Sequence, residues 1–327
     1  MTMKKVISKI SATLVLSALI LPMQLRAEPL QATVSLKTGK VTAGYVTGAE
    51  SDGILLSVQP DGGGAFKIPN EQIVDLNMEE PKGWAAALNS FTAGNFAESE
   101  KQFSALADEF DKLVPLKDSY GSLARLYYFR SLKQLGKLTE LSTAMDKQLA
   151  NQLSLGEFYQ GYYDDIKGWS ILGKEDWLAL GSYVQSYEEE QLGSSLPQKP
   201  FQKLPESRIA SLCYLRAKWH ESKGDADTAL IDYHRAITYD LGSDRALRAK
   251  ALAECLRIMA AKVEKKPTDK ALRNRAYAVA ILYRDLAGKG EVPETYKPLL
   301  TKPEPDAKPA AAQETPVEEA PADAPKE

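Results

Sequence analysis

At 327 residues, with 44% hydrophobic and 26% charged side chains, the chain falls in the globular class and can bury one large core or two smaller ones. Its 41 basic and 44 acidic residues leave a formal net charge of -3, which gives no overall field to draw in a polyanion, so no nucleic-acid partner is implied.

The N-terminus carries Lys4, Lys5 and Lys9 ahead of an apolar run from Ile10 to Leu21, which Pro22 ends before Leu25, Arg26 and Ala27. The run is shorter than the roughly 20 residues of a spanning helix, and the pattern predicts a secretory signal peptide over 1–27, cleaved after Ala27. An uncleaved anchor is the alternative. No cysteine lies near the junction to accept a lipid, and no later apolar run has the length to cross a bilayer. The expected location is therefore periplasmic or secreted.

Residues 28–78 read as a small all-β module. Val34 and Leu36 alternate before Thr38-Gly39; Val41 to Val46 follows; Asp52-Gly53 precedes Ile54, Leu56 and Val58; and Asp61-Gly62-Gly63-Gly64 precedes Phe66 and Ile68. Period-two apolar positions between glycine turns predict about five short strands. A unit this small rarely buries enough area alone, so it is expected to lean on the helical part of the chain. The stretch Val34 to Gly39, with Gly44, Tyr45 and Asp52-Gly53-Ile54, resembles the first motif of Sm-like small barrels. That resemblance implies a barrel. The family's RNA contacts need an Asn in the turn at residues 52–56 and a late Arg-Gly pair, both absent here, so it implies no RNA binding.

After Pro81 the texture turns to alanine, leucine and aromatic residues at helical spacing, predicting helical blocks over 79–190 and 206–300. Gly94, Gly136, Gly173 and Gly224 each fall between helical stretches, where a glycine can take the positive φ that ends a helix. Pro197, Pro200 and Pro205 mark a loop over 191–205. From Thr301 to Glu327 the chain is Pro, Ala, Glu and Lys with hardly a large apolar side chain, and this tail is expected to be disordered.

Cys213 and Cys255 lie in Ala/Leu-rich helical segments. They read as packed thiols, with a disulfide between them left open.

The segment Gly224 to Ile237 concentrates three aspartates, His234 and Arg235. A helix starting near Asp227 puts Ala229, Tyr233, Ala236 and Ile237 on one stripe, with Asp232, His234 and Arg235 pointing elsewhere. Asp225 or Asp227 fits the N-terminal cap, and Asp232 can pair with Arg235 one turn on. Gly224-Asp225 followed by Ala229, Tyr233 and Ala236 resembles the second half of a tetratricopeptide repeat (TPR). Asp240 matches the closing acidic residue, Leu241 replaces the usual proline, Ala217 takes the small position of the first helix and His220 a core aromatic position. Gly94-Asn95-Phe96 with Phe103 matches more weakly. The resemblance implies a TPR-like α-solenoid of antiparallel helix pairs, mainly α overall, behind the β module.

Three alternative chemistries are weighed against that reading. His220 and His234 with Asp225 or Asp227 lack the one-turn ligand spacing that zinc helices use. Gly168 to Lys174 mimics a phosphate loop, but Glu175 stands where a Ser or Thr hydroxyl must bind magnesium. Glu157, Asp164, Asp165, Glu175 and Asp176, among Tyr159, Tyr162, Tyr163 and Trp169, could supply a carboxylate pair for carbohydrate binding or cleavage. The reading adopted is a non-enzymatic scaffold or adaptor for protein partners in the cell envelope, with no catalytic residue, cofactor or metal assigned. In the TPR family, positions six and nine or ten before the turn glycine face the ligand. Carried over, they give Tyr127, Arg130, Tyr214 and Lys218 as the groove, suited to a peptide carboxylate or acidic segment. Self-association into a homo-oligomer stays open.

Overall fold

The computed structural model describes residues 30–148, 153–187, 206–239 and 245–302. The predicted signal peptide, the loop over 191–205, Asp240, Leu241 and the tail beyond Lys302 lie outside these residues. Five strands are followed by ten helices among the described residues. No helix among them is long and apolar enough to cross a membrane. Two compact units are present. The first holds the described residues up to Lys137 and within Thr143–Gln160; the second holds Leu138–Ser142 and those from Gly161 onward.

The first unit opens with β1 (Leu30–Leu36), β2 (Val41–Glu50), β3 (Gly53–Ser57), β4 (Phe66–Pro69) and β5 (Ile73–Met78). The five-strand prediction is met, all pairs being antiparallel in the order β4-β3-β2-β1-β5. Alternation in β1 buries Leu30, Ala32 and Val34. Gly39, at φ 78, closes the β1–β2 turn with its N–H donating to the Leu36 carbonyl at 2.9 Å. The last strand does not extend the meander: a 3-10 turn over Asn70–Gln72 carries the chain back to pair β5 with β1. The expected barrel is an open sheet with β4 and β5 at its edges. β4 has four residues and ends at Pro69, which has no N–H to extend a ladder.

As expected, the sheet leans on helices. Its Leu30, Val34, Val46, Ile54, Leu56 and Ile68 join Trp84, Ala87, Phe103, Leu106, Phe110 and Ala124 in one hydrophobic core. These come from α1 (Trp84–Thr92), α2 (Phe96–Glu109), the turn after it, and α3 (Tyr120–Leu135). Gly94, at φ 78, separates α1 from α2, and Gly136, at φ 74, ends α3, as their spacing predicts. Ser119 caps α3 by accepting the Ser122 N–H. Across α2 and α3 the buried hydroxyls of Ser99 and Ser131 satisfy each other at 3.0 Å.

Two further helices, α4 (Leu138–Gln148) and α5 (Glu157–Gly173), contribute residues to both units. In the second unit α6 (Trp177–Tyr187), α7 (Glu206–Ser222), α8 (Ala226–Tyr239), α9 (Arg245–Lys265) and α10 (Lys270–Leu286) come next. Each of α6 to α9 packs on its successor. Gly224, at φ 80, turns α7 into α8. Gly173 works differently from its prediction: it is the last residue of α5 without a positive φ, and Glu175, at φ 55, takes the left-handed position. What requires glycine at 173 is close approach, since a Cβ there would sit 2.3 Å from the Leu138 carbonyl oxygen.

Cys213 on α7 and Cys255 on α9 are free thiols with no solvent exposure. Burial pushes both up to about 12, so each is protonated and unreactive at neutral pH. A thiol reagent such as Ellman's is expected to react with neither in the native protein and with both in denaturant; fast native labelling would refute this placement.

Candidate functional site

The four groove residues fall in two places. Tyr127 and Arg130 lie on α3 in the first unit, Tyr214 and Lys218 on α7 in the second.

On α3, Tyr127 is half-buried and stacks on Phe103 at 4.9 Å with nearly parallel rings. Phe91 meets it edge-on at 5.1 Å, Trp84 at 6.2 Å, and Phe96 stands 5.5 Å from Phe91. Helical periodicity accounts for the grouping, because Trp84 and Phe91 are seven residues apart on α1 and face the stripe of α3 that carries Tyr120 and Tyr127. Over this aromatic floor lies Arg130, its guanidinium carbon 4.7 Å from the Phe91 centroid and 5.2 Å from that of Tyr127. Phe91, Phe96, Tyr127 and Arg130 all keep partial exposure. The ring faces attract the cation electrostatically, and a guanidinium is the side chain whose paired N–H groups match a carboxylate. Tyr127 and Arg130 are the two residues carried over from the TPR spacing; Phe91 and Phe96 join them only through the packing of α1 and α2.

On α7 the two predicted residues are engaged within the fold. Tyr214 is only 5% exposed, stacked on Trp169 at 5.2 Å and set edge-on to Tyr233 at 5.3 Å, so its ring serves packing. Burial raises its phenol well above the ordinary range. Lys218 bonds Glu254 of α9 and lies 3.6 Å from Glu221. Glu221 also accepts from the Tyr233 hydroxyl and from Arg257. Burial would raise the Glu221 carboxyl, but those two hydrogen bonds, with the Lys218 and Arg257 charges, hold it below the usual range. A carboxylate lowered by folding stabilises the fold above its unfolded pKa, and that contribution disappears as pH falls through the lowered folded value. The stability gap between the natural chain and Glu221→Gln should therefore be full above about pH 5 and narrow on further acidification. Urea midpoints across pH would measure it, and a gap independent of pH would refute it.

Below this layer Arg216 donates twice to Asp232, both bonds 2.7 Å, with the two side chains 8% and 1% exposed. The predicted pair of Asp232 with Arg235 is present at 3.0 Å, and α7 adds the buried partner, which the spacing along α8 does not announce. His220, expected inside, is partly buried, its ring 5.0 Å from that of Trp219, its Nε2 4.0 Å from Asp232 and its Nδ1 3.9 Å from Asp225. Asp225 caps α8 by accepting the Thr228 N–H, whereas Asp227 pairs with Lys262. His234 is exposed. No group of three or more His, Cys, Asp or Glu suited to a metal occurs among the described residues.

The residues of the remaining motifs make contacts within the fold. The phosphate-loop mimic lies within α5 and its turn, and a Cβ at Gly168 would meet the Tyr183 ring at 2.5 Å. Of the middle-block aromatics, Trp169 is 1% exposed and donates to the Ser211 hydroxyl at 2.6 Å, while Tyr163 is 9% exposed. Asp164 pairs with Lys167, Asp165 is buried, and Asp176 accepts the Ala179 N–H at the start of α6. No family model, curated protein or solved structure matches the chain.

Proposed function

We propose that the chain is an exported, non-enzymatic adaptor of the cell envelope, built on TPR-like helix hairpins behind an Sm-like β module, that captures an acidic peptide segment of a protein partner. Support for the repeat reading comes from α7 and α8, where Ala217, Ala229, Tyr233 and Ala236 are all without solvent exposure around the Gly224 turn. The three alanines are the positions the TPR resemblance keeps small for close helix approach, and Tyr233 is its aromatic position. The observation that carries the binding reading is Arg130 held over Phe91 and Tyr127 on a partly exposed face. An aromatic-backed arginine is the kind of anchor that dominates peptide interfaces. Lys218 and Tyr214 shape the second unit and leave recognition to the α3 surface.

The test is site-specific photocrosslinking in the native envelope with benzoylphenylalanine in place of Phe96, and in place of exposed Ile231 on α8 as control. A discrete adduct is expected at 96 and not at 231. Arg130→Glu should reduce it at least about tenfold, as for a binding hot spot. No adduct at 96, or one indifferent to Arg130→Glu, would overturn the assignment.

A further inference from the structure

A net charge near zero conceals an uneven distribution. Between Arg245 and Ala287 there are eleven Lys and Arg against four Asp and Glu, whereas residues 303–327 hold seven acids and two lysines. At the turn joining α9 to α10, Lys265, Lys266, Lys270, Arg273 and Arg275 are all exposed and none has an acidic partner among the described residues. Neighbouring cations are engaged: Arg257 with Glu221 and Glu254, Lys262 with Asp227, and Arg284 with Asp285. Of the acids at the turn, Asp269 accepts the Leu272 N–H at 2.9 Å as the α10 cap. Lys265 suits the negative end of α9, but Lys270 and Arg273 occupy the first turn of α10, where the helix dipole is positive and cations are unfavourable. The Asp269 cap and Glu264 offset that repulsion only in part, five cations standing against two acids at the turn.

We propose that this basic turn is a docking surface for the chain's own acidic segment, residues 304–323. Charge complementarity is one ground, and tethering is the other. The chain leaves the described residues after a 3-10 segment, Glu294–Leu300, that packs against both α9 and α10. From Lys302 to Glu314 a dozen residues span up to about 40 Å, against about 25 Å for the whole of α10. That length is enough to bring Glu314, Glu318 and Glu319 to the turn from the same helix pair. A short tether supplies an effective concentration on the order of millimolar, enough for several weak exposed ion pairs to hold together at low ionic strength.

The full-length chain with Ala320→Cys carries a nitroxide on the tail, a single added mass confirming that Cys213 and Cys255 stay unlabelled. Amide signals of 262–275 are expected to lose at least half their intensity at about 20 mM salt and to recover near 0.5 M, where charges are screened within a few ångströms. Lys265→Glu, Lys266→Glu, Lys270→Glu and Arg273→Glu together should abolish the loss while leaving the helical circular dichroism intact. Broadening centred on α3 or elsewhere, or surviving that charge reversal, overturns the proposal. So does broadening in a mixture of spin-labelled and separately isotope-labelled chains, which would make a second copy the occupant. Phosphatidylglycerol vesicles that sediment the protein equally well with and without the tail acids would make a membrane the occupant and also overturn it.

Discussion

Arg216→Met is expected to cost about 3–5 kcal/mol of unfolding free energy, because it leaves the Asp232 carboxylate, 1% exposed, without its bidentate partner. Two 2.7 Å bonds tie α7 to α8 at a depth where water cannot replace them. Of the groups left beside it, Arg235 is half-exposed and makes a single bond at 3.0 Å and the His220 Nε2 stands 4.0 Å away, so they compensate only in part. Removing Arg235 alone should cost below about 1 kcal/mol, the range of exposed pairs. The double variant Arg216→Met with Asp232→Leu, which replaces the pair by apolar groups of similar size, should recover most of the loss or all of it. Urea unfolding of the three variants measures this. If Arg216→Met proved no worse than the Arg235 variant, the pair would not be the tie between α7 and α8.

Trp84→Ala should cost a similar amount, about 3–5 kcal/mol, and act on the first unit. Trp84 is 7% exposed and meets Phe103 at 5.4 Å and Tyr120 at 4.9 Å, both edge-on. It lies in the core that the strand residues share with α1 to α3, so its removal leaves a cavity bordered by both sheet and helices. It also takes away one of the rings around Tyr127, so the face carrying Arg130 should lose definition along with stability. Thermal unfolding followed by near-ultraviolet circular dichroism checks the effect; a loss below about 1 kcal/mol would mean the site collapses without a cavity and is not the hub of that core. Trp84→Phe, which keeps an aromatic ring there, should retain well over half of the stability lost in the alanine variant.

Much of this architecture is legible in the sequence for local reasons. Strand alternation at Leu30, Ala32 and Val34, and the positive-φ glycines at 39, 94, 136 and 224, arise from steric rules that act within a few residues. The α8 stripe of Ala229, Tyr233 and Ala236 is a consequence of helical period, and all three are fully buried. Gly173 shows where that logic stops: its glycine is demanded by the backbone of Leu138, thirty-five positions earlier, and no local pattern announces it. Asp232 shows the same for charge. Its period correctly leaves it off the apolar stripe, yet a helix has several flanks, and only the placement of α7 decides that this flank is buried against Arg216.

The candidate site divides along the same line. Tyr127 and Arg130 were chosen by offset from Gly136, and the fold leaves both partly exposed with Phe91 beneath the guanidinium. Tyr214 and Lys218 were chosen by the same offset from Gly224, but Trp169, Tyr233 and Glu254 close around them. Equal spacing gave unequal exposure because spacing fixes direction around a helix axis, while exposure depends on whether another helix occupies that direction. By itself, then, the sequence determined the element types, their order, most of the turns and the inward stripe of α8, since these arise from backbone sterics and short-range burial. Only the tertiary structure decided that the sheet stays open, that β5 returns to β1, and which aromatic and charged groups face solvent, because each depends on contacts between segments far apart in the chain.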